Sequence, residues 1–370
     1  MVVCPLISRQ IDLCWGITSL TLFTQPKERS MADIAIDLGT ANTLIHVKGK
    51  GLVFNEATAI AYDETTNSAI AIGNVAADMI GRTPPSIRVV RPLSTGVVSD
   101  FAAARHFLQM AISQVVRYNR FSPLKVVVGV PSRISGAEFK TFQDALDSSR
   151  IAKVYAVQEP VAAAIGSGLN FALPRGCLVI DVGAGTTDLA MLSLGRVVDS
   201  RSLRIGAEAL ASAFVNYLKN NRRINIGDKT AEEFLREHGQ AVISDRSSGK
   251  LLGVDMKLGL PVELEISADE VYNSIKEPIS LIVAELRRLL DSVPPDLAAD
   301  ILREGIYLTG GGSLLRGLPE LLEEQTGLKC HHVEDPLKAV VLGCGKILED
   351  MNAYKFVLES MPDEIKSSSI

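Results

Sequence analysis

Apolar positions along the chain follow two different periods. Runs without polar alternation, such as Lys125–Pro131 (KVVVGVP), read as strands buried on both faces. Other stretches repeat their apolar residues every three or four positions. Phe101, Ala104, Leu108, Ala111, Ile112 and Val115 predict such a helix, with Asp100 as its cap. Ser135 with Glu138, Thr230 with Glu233 and Ser267 with Glu270 have capping-box spacing at three further helix starts. The last of these opens a long helix with Val271, Ile275, Ile279, Ile282, Leu286 and Leu289 on one face, and Pro278 is expected to kink it. Val262, Leu264 and Ile266 alternate as a half-exposed strand. Val154–Val157 is a further short strand, Glu159-Pro160 opens an alanine-rich helix, and Asp335-Pro336 starts the last core helix. Strands interleaved with helices throughout predict an α/β class.

The same pattern occurs twice. Residues 36–53 read IDLGTANTLIHVKGKGLV and residues 180–198 read IDVGAGTTDLAMLSLGRVV. Each is an apolar strand, a D-x-G turn with small polar residues, a second strand, a glycine and a third apolar run. The copies lie too far apart for a solenoid repeat and fit one domain duplicated in tandem. The expected division is a first domain over 31–172 and a second over 173–350, with a C-terminal tail over 351–370. Residues 1–30 are expected to be a disordered tail, or to lie upstream of a true start at Met31. They hold the single tryptophan, Trp15. Their uncharged run, 13–24, falls short of the roughly 20 apolar residues that span a bilayer.

Composition narrows the function classes. The 370 residues are 47% hydrophobic and 22% charged, a globular balance. Lys+Arg 38 against Asp+Glu 43 gives a net charge of −5, with no basic stripe and only 5% aromatics, which argues against a nucleic-acid partner. Cys4, Cys14, Cys177, Cys330 and Cys344 form no CxxC pair and fit a reduced, cytoplasmic interior.

The two D-x-G turns carry the chemistry. A tight turn between paired strands points backbone N–H groups into one concavity, which suits phosphate oxygens. Gly39, Gly183 and Gly185 allow close approach. The hydroxyls of Thr40, Thr43, Thr186 and Thr187 and the Asn42 amide add donors without negative charge. Ala41 and Ala184 complete the two turns. Asp37 and Asp181 would repel bare phosphates, so they call for a divalent cation; Mg²⁺, which keeps several waters and takes one or two carboxylates, fits. One such turn is common in ordinary hairpins, and two with matching flanks are not. Gly310, Gly311 and Gly312 lie between a strand and a helix, where a flat ligand can rest on bare backbone. The run matches neither the P-loop nor the dinucleotide fingerprint.

With two phosphate turns, Glu159 at a helix start and a late glycine run, the chain resembles the actin-like ATPase superfamily, and within it the MreB family of bacterial actins. The matching segments are DLGTANTLIHVKGKG (37–51), IGRTPPSIRVVRPLSTGVVSDF (80–101), EPVAAAIGSGL (159–169), VIDVGAGTTDLAMLSLG (179–195), PPDLAADILREGIYLTGGGSLLRGL (294–318) and DPLKAVVLGCGKIL (335–348). The resemblance implies an actin-like duplicated fold, two domains flanking a cleft that binds ATP and Mg²⁺. It places Asp37 and Asp181 at the metal and phosphates, and Glu159 as the catalytic carboxylate that positions the attacking water. Gly311 and Gly312 would lie beside the adenosine and Glu232 on its ribose or base side. Departures from the family pattern are Ala184 for Gly, Leu235 for Lys and Gln158 for Glu. The resemblance further implies weak ATP hydrolysis and self-assembly into double filaments on the inner face of the plasma membrane. Lipid and membrane proteins of the cell-wall elongation machinery are the implied partners. The matching membrane loop is Tyr118–Leu124, with Phe121 and Leu124 as inserting candidates. A non-polymerising ATPase switch and a small-molecule kinase are the competing readings. The first lacks chain for a substrate-binding domain, and the second lacks an identifiable catalytic Asp at a sugar pocket.

Overall fold

The computed structural model describes residues 33–116, 124–146, 151–170 and 172–359. Expectations for residues 1–30, Phe121 and residues 360–370 lie outside these. Each copy of the repeat contributes a five-stranded sheet with the same topology. In the first, Ile151–Gln158, Leu124–Val130 and Ile34–Leu38 run parallel, and Asn42–Val47 and Gly51–Ala57 follow antiparallel. In the second, Cys330–His332, Ile306–Thr309 and Cys177–Val182 run parallel, and Thr187–Ser193 and Arg196–Leu203 follow antiparallel. Each half also carries a small three-stranded sheet: Ile60–Asp63, Ser68–Ile72 and Ile87–Val90 in one, and Ile224–Asn225, Gly249–Asp255 and Pro261–Ile266 in the other.

Period-two alternation sorts the strand residues between cores. Ile34, Ile36, Val126 and Val128 enter the core of the first half, and Leu178 and Ile180 enter that of the second. Their neighbours Ala35, Val127, Cys177 and Val179 face a third core between the two sheets. Helices Glu159–Gly166 and Ala339–Glu349 cross in that third core, built of alanine, valine and glycine. A Cβ on Gly343 would overlap the Ala162 carbonyl, and one on Gly166 would overlap the Ala339 carbonyl. The helices therefore touch backbone to backbone. Lys346 Nζ donates to the carbonyls of Ile165 (3.0 Å) and Gly166 (2.8 Å), capping the first helix from the second.

Local signals fared unevenly. Asp100 accepts from Ala103 N–H, and the Ser135/Glu138 and Ser267/Glu270 boxes both form. Thr230 does not cap, because its helix begins at Asp228 with Gly227 ahead of it. Pro278 sits inside one unbroken helix, Ala268–Asp291. The last core helix starts at Ala339, after a turn over 335–338. Leu124, offered as a membrane-inserting residue, is buried as the first residue of a central strand. Residues 351–359 fold back instead of trailing away: Val357 is buried in the third core, with Tyr354 and Phe356 packed against it. Among the described residues, no helix is long and apolar enough to cross a membrane.

Candidate functional site

The two D-x-G turns face each other across a cavity of about 520 Å³ lined from both halves of the molecule. Asp37, Gly39, Thr40, Ala41 and Asn42 line one wall, and Asp181, Gly183, Ala184, Gly185 and Thr186 line the other. Glu159, Glu232, Gly310, Gly311 and Gly312 also reach it. Local pairing builds both turns. Leu38 pairs with Thr43 and Val182 with Thr187, which leaves the residues between them to bulge into the cleft. Gly183 N–H bonds the Thr186 carbonyl at 2.8 Å, tightening the second turn. Gly310 has φ 80, and a Cβ there would collide with Asp181 and the Val182 carbonyl, so no other residue fits.

Thr43 and Thr187 do not belong to this surface. Each lies at the start of the returning strand (Thr43 second, after Asn42; Thr187 first), is fully buried, and has its hydroxyl engaged elsewhere. Thr43 Oγ1 pairs with Thr58 Oγ1 at 2.8 Å, and Thr187 Oγ1 donates to the Ile205 carbonyl at 2.7 Å. Thr40 and Thr186, inside the turns, remain on the cavity wall.

The floor concentrates carboxyl groups. Burial pushes the Asp37 carboxyl up to about 7. Burial, and then the charges of Asp188, Asp181 and Asp37, hold Glu159 well above the usual carboxylate range. Asp181 is raised by burial and by Asp188 and Asp37. Asp188 stands opposite Asp181 in the hairpin register; burial raises it, against hydrogen bonds from Ser132, Ser202 and Thr186. Such mutual repulsion makes the floor receptive to a cation. Among the described residues no three His, Cys, Asp or Glu side chains converge as a metal cage. A cation held by these carboxylates would complete its shell with water and ligand oxygens. Asp37 and Asp181 would be its nearest protein carboxylates.

At the glycine-run end the walls are apolar. Leu235, Leu314, Leu315, Pro336 and Leu337 line the cavity, with Arg236 and Arg316 at the rim. Leu314 (52%) and Leu337 (54%) are exposed, unlike most leucines of this chain, and offer flat apolar surface to a ring. The sequence reading missed this slot, although the apolar pair after GGGS was a usable signal. It also missed the bonds that span the cleft. Arg91 Nη1 and Nη2 donate to Glu232 at 2.7 and 3.2 Å, with Glu208 at 3.8 Å. Lys229 pairs with Asp78 at 2.8 Å. The two-residue turn Thr95–Gly96 touches both phosphate turns: Gly96 N–H donates to Thr40 Oγ1 of the first at 3.1 Å, and a Cβ on Gly185 of the second would meet Gly96 N at 2.7 Å. Glu232 thus lies on the cavity wall but is already clamped by Arg91.

The family model for MreB/Mbl protein matches residues 31–356. The chain belongs to the MreB/Mbl family. Among curated members of that family, it is 40% identical over 329 residues to the cell shape-determining protein MreB of Escherichia coli, covering 87% of this chain and 94% of that one. It is 37% identical over 321 residues to the cell shape-determining protein Mbl of Bacillus cereus, covering 86% and 96%. Two solved structures of MreB5 from Spiroplasma citri, bound to ADP and to AMPPNP, superpose with TM-scores of 0.81 and 0.82 at 35% identity. They cover 89% and 91% of this chain and 98% and 100% of theirs. The MamK double helical filament, at 21% identity, covers 86% of this chain and 99% of its own with a TM-score of 0.71, and shares the fold. The fold is the duplicated actin-like one.

Proposed function

We propose that this chain is a cell shape-determining actin homologue that binds ATP with Mg²⁺ in the inter-sheet cavity and hydrolyses it slowly. In this reading residues 31–172 and 173–350 are the two domains that close on the nucleotide. Asp37 and Asp181 face the metal, the two turns take the phosphates, and Gly310–Gly312 with Leu314 and Leu337 take the adenosine. Glu159 orients the attacking water, so its loss slows hydrolysis more than binding. The observation that carries the reading is the convergence of both D-x-G turns, Glu159 and the glycine run on one cavity. The ADP and AMPPNP bound to MreB5 support the choice of ligand.

The reading extends to assembly. The protein polymerises into double filaments in the cytoplasm, on the inner face of the plasma membrane, and directs wall elongation with membrane proteins of that machinery. One surface suits self-association: Leu252, Val254, Met256, Leu258 and Leu260 are all exposed on the hairpin 249–266. Monomers seldom leave so many neighbouring apolar side chains in water. The test is sedimentation of the full chain with Mg-ATP, with and without liposomes. Concentration-dependent pelleting that rises with lipid is expected. Protein that stays in the supernatant in every nucleotide state sinks the filament reading.

A further inference from the structure

Three carboxyl groups, Asp37, Glu159 and Asp181, line the cavity floor, and the function proposed above uses all three. A fourth, Asp188, is buried behind them (1% exposed), opposite Asp181 on the strand that returns from the second phosphate turn. Its Oδ1 accepts the backbone N–H of Ser132 at 2.7 Å. Ser132 comes from the other half of the molecule, just past strand Leu124–Val130. The carbonyl oxygen of Ser132 in turn accepts from Gln158 Nε2 at 3.1 Å. Gln158 is the N-cap of the helix whose first residue is Glu159, and its side chain makes no capping bond there. Its amide is turned to Ser132 instead. The backbone of Ser132 is therefore held at both its polar groups, by Asp188 on one side and by the residue preceding Glu159 on the other.

We propose that Asp188 is a positioning residue for Glu159, acting through the backbone of Ser132 and the amide of Gln158. The inference rests on the reading of Glu159 as the group that orients water. It adds a dependence on the second half of the molecule: when the halves are apart, the Asp188–Ser132 bond is broken and the start of the Glu159 helix loses its outer support. Positioning at this level matters because a displacement of about 1 Å can cost on the order of 100-fold in rate. Gln158 supplies the amide that completes this link, where a carboxylate could not donate. The link is thus written into this chain's own sequence.

The experiment measures single-turnover phosphate release and Mg-ATP affinity on the full chain. The variants are Asp188→Ala, Asp188→Asn, Gln158→Leu, Glu159→Gln and the pairs Asp188→Ala/Gln158→Leu and Asp188→Ala/Glu159→Gln. Asp188→Ala and Gln158→Leu are each expected to slow release roughly tenfold or more, with affinity held within about twofold. Asp188→Asn keeps an acceptor for Ser132 N–H and restores most of the rate. Residues acting along one path are non-additive, so each double variant is no slower than its slower single. Wild-type release in Asp188→Ala overturns the inference. So does a further loss when Asp188→Ala is added to Glu159→Gln, or a parallel fall in rate, affinity and melting temperature, which marks a merely structural role. Gln158→Leu removes no buried charge and keeps the test open if Asp188→Ala fails to fold. Wild-type release in Glu159→Gln alone instead breaks the reading of Glu159, and the inference falls with its premise.

Discussion

Asp37 shows how a single side chain records what the cleft is shaped for. Its carboxyl, held up to about 7 by burial, carries a proton in the free protein under mildly acidic conditions. A divalent cation favours the ionised form, so binding Mg-ATP expels that proton where pH lies below the raised value. Calorimetry at about pH 6, in buffers of different ionisation heat, is expected to show more protons released by wild type than by Asp37→Asn. Equal release from both would remove Asp37 from the metal side of the site. The same scale explains a misreading. Thr40 and Thr43 look alike in the sequence, as do Thr186 and Thr187. Thr40 and Thr186 lie within the turns and face the cleft, whereas Thr43 and Thr187 lie on the returning strands and point into the core. That difference of environment decides which hydroxyl is available.

At the scale of elements, the parts legible in the sequence are those whose geometry is local. The D-x-G turns, the glycine run, Asp100 and the Ser267 capping box depend on residues a few positions apart, and the chain forms them as read. Non-local partners were not legible. Arg91 meets Glu232 across 141 positions, and no periodicity marks either. The helix over 159–166 read simply as alanine-rich, yet Gly166 and Gly343 are what let it lie against Ala339–Glu349. Replacing Gly343 with Ala pushes a methyl into the Ala162 carbonyl and forces the two helices apart. A loss of about 1–3 kcal/mol is expected by urea unfolding. Unchanged stability would mean that the crossing is looser than its backbone contacts imply.

For the whole molecule, two surfaces act against each other. Within one chain, the Arg91–Glu232 and Lys229–Asp78 pairs and the close packing of Gly96 on Gly185 and Thr186 join the halves at the cleft. Outside it, the exposed apolar hairpin tip is the surface proposed above for self-association. Leu258 (66% exposed) lies at the tip and far in sequence from any cavity residue. Leu258→Asp is expected to raise the concentration needed for pelleting several-fold while leaving Mg-ATP affinity unchanged, because a charge in an apolar contact is costly. Pelleting at the wild-type threshold would take the hairpin out of the assembly interface.

The backbone contact between helices Glu159–Gly166 and Ala339–Glu349 also limits how the molecule can move. Side-chain layers can slip past one another in small steps; two glycine notches seated on carbonyls cannot. Sliding is blocked and rotation about the crossing point remains. The helix crossing in the third core is thus the point about which any such rotation would turn. A rotation there would strain first the pairs that cross the cleft, Arg91 with Glu232 and Lys229 with Asp78.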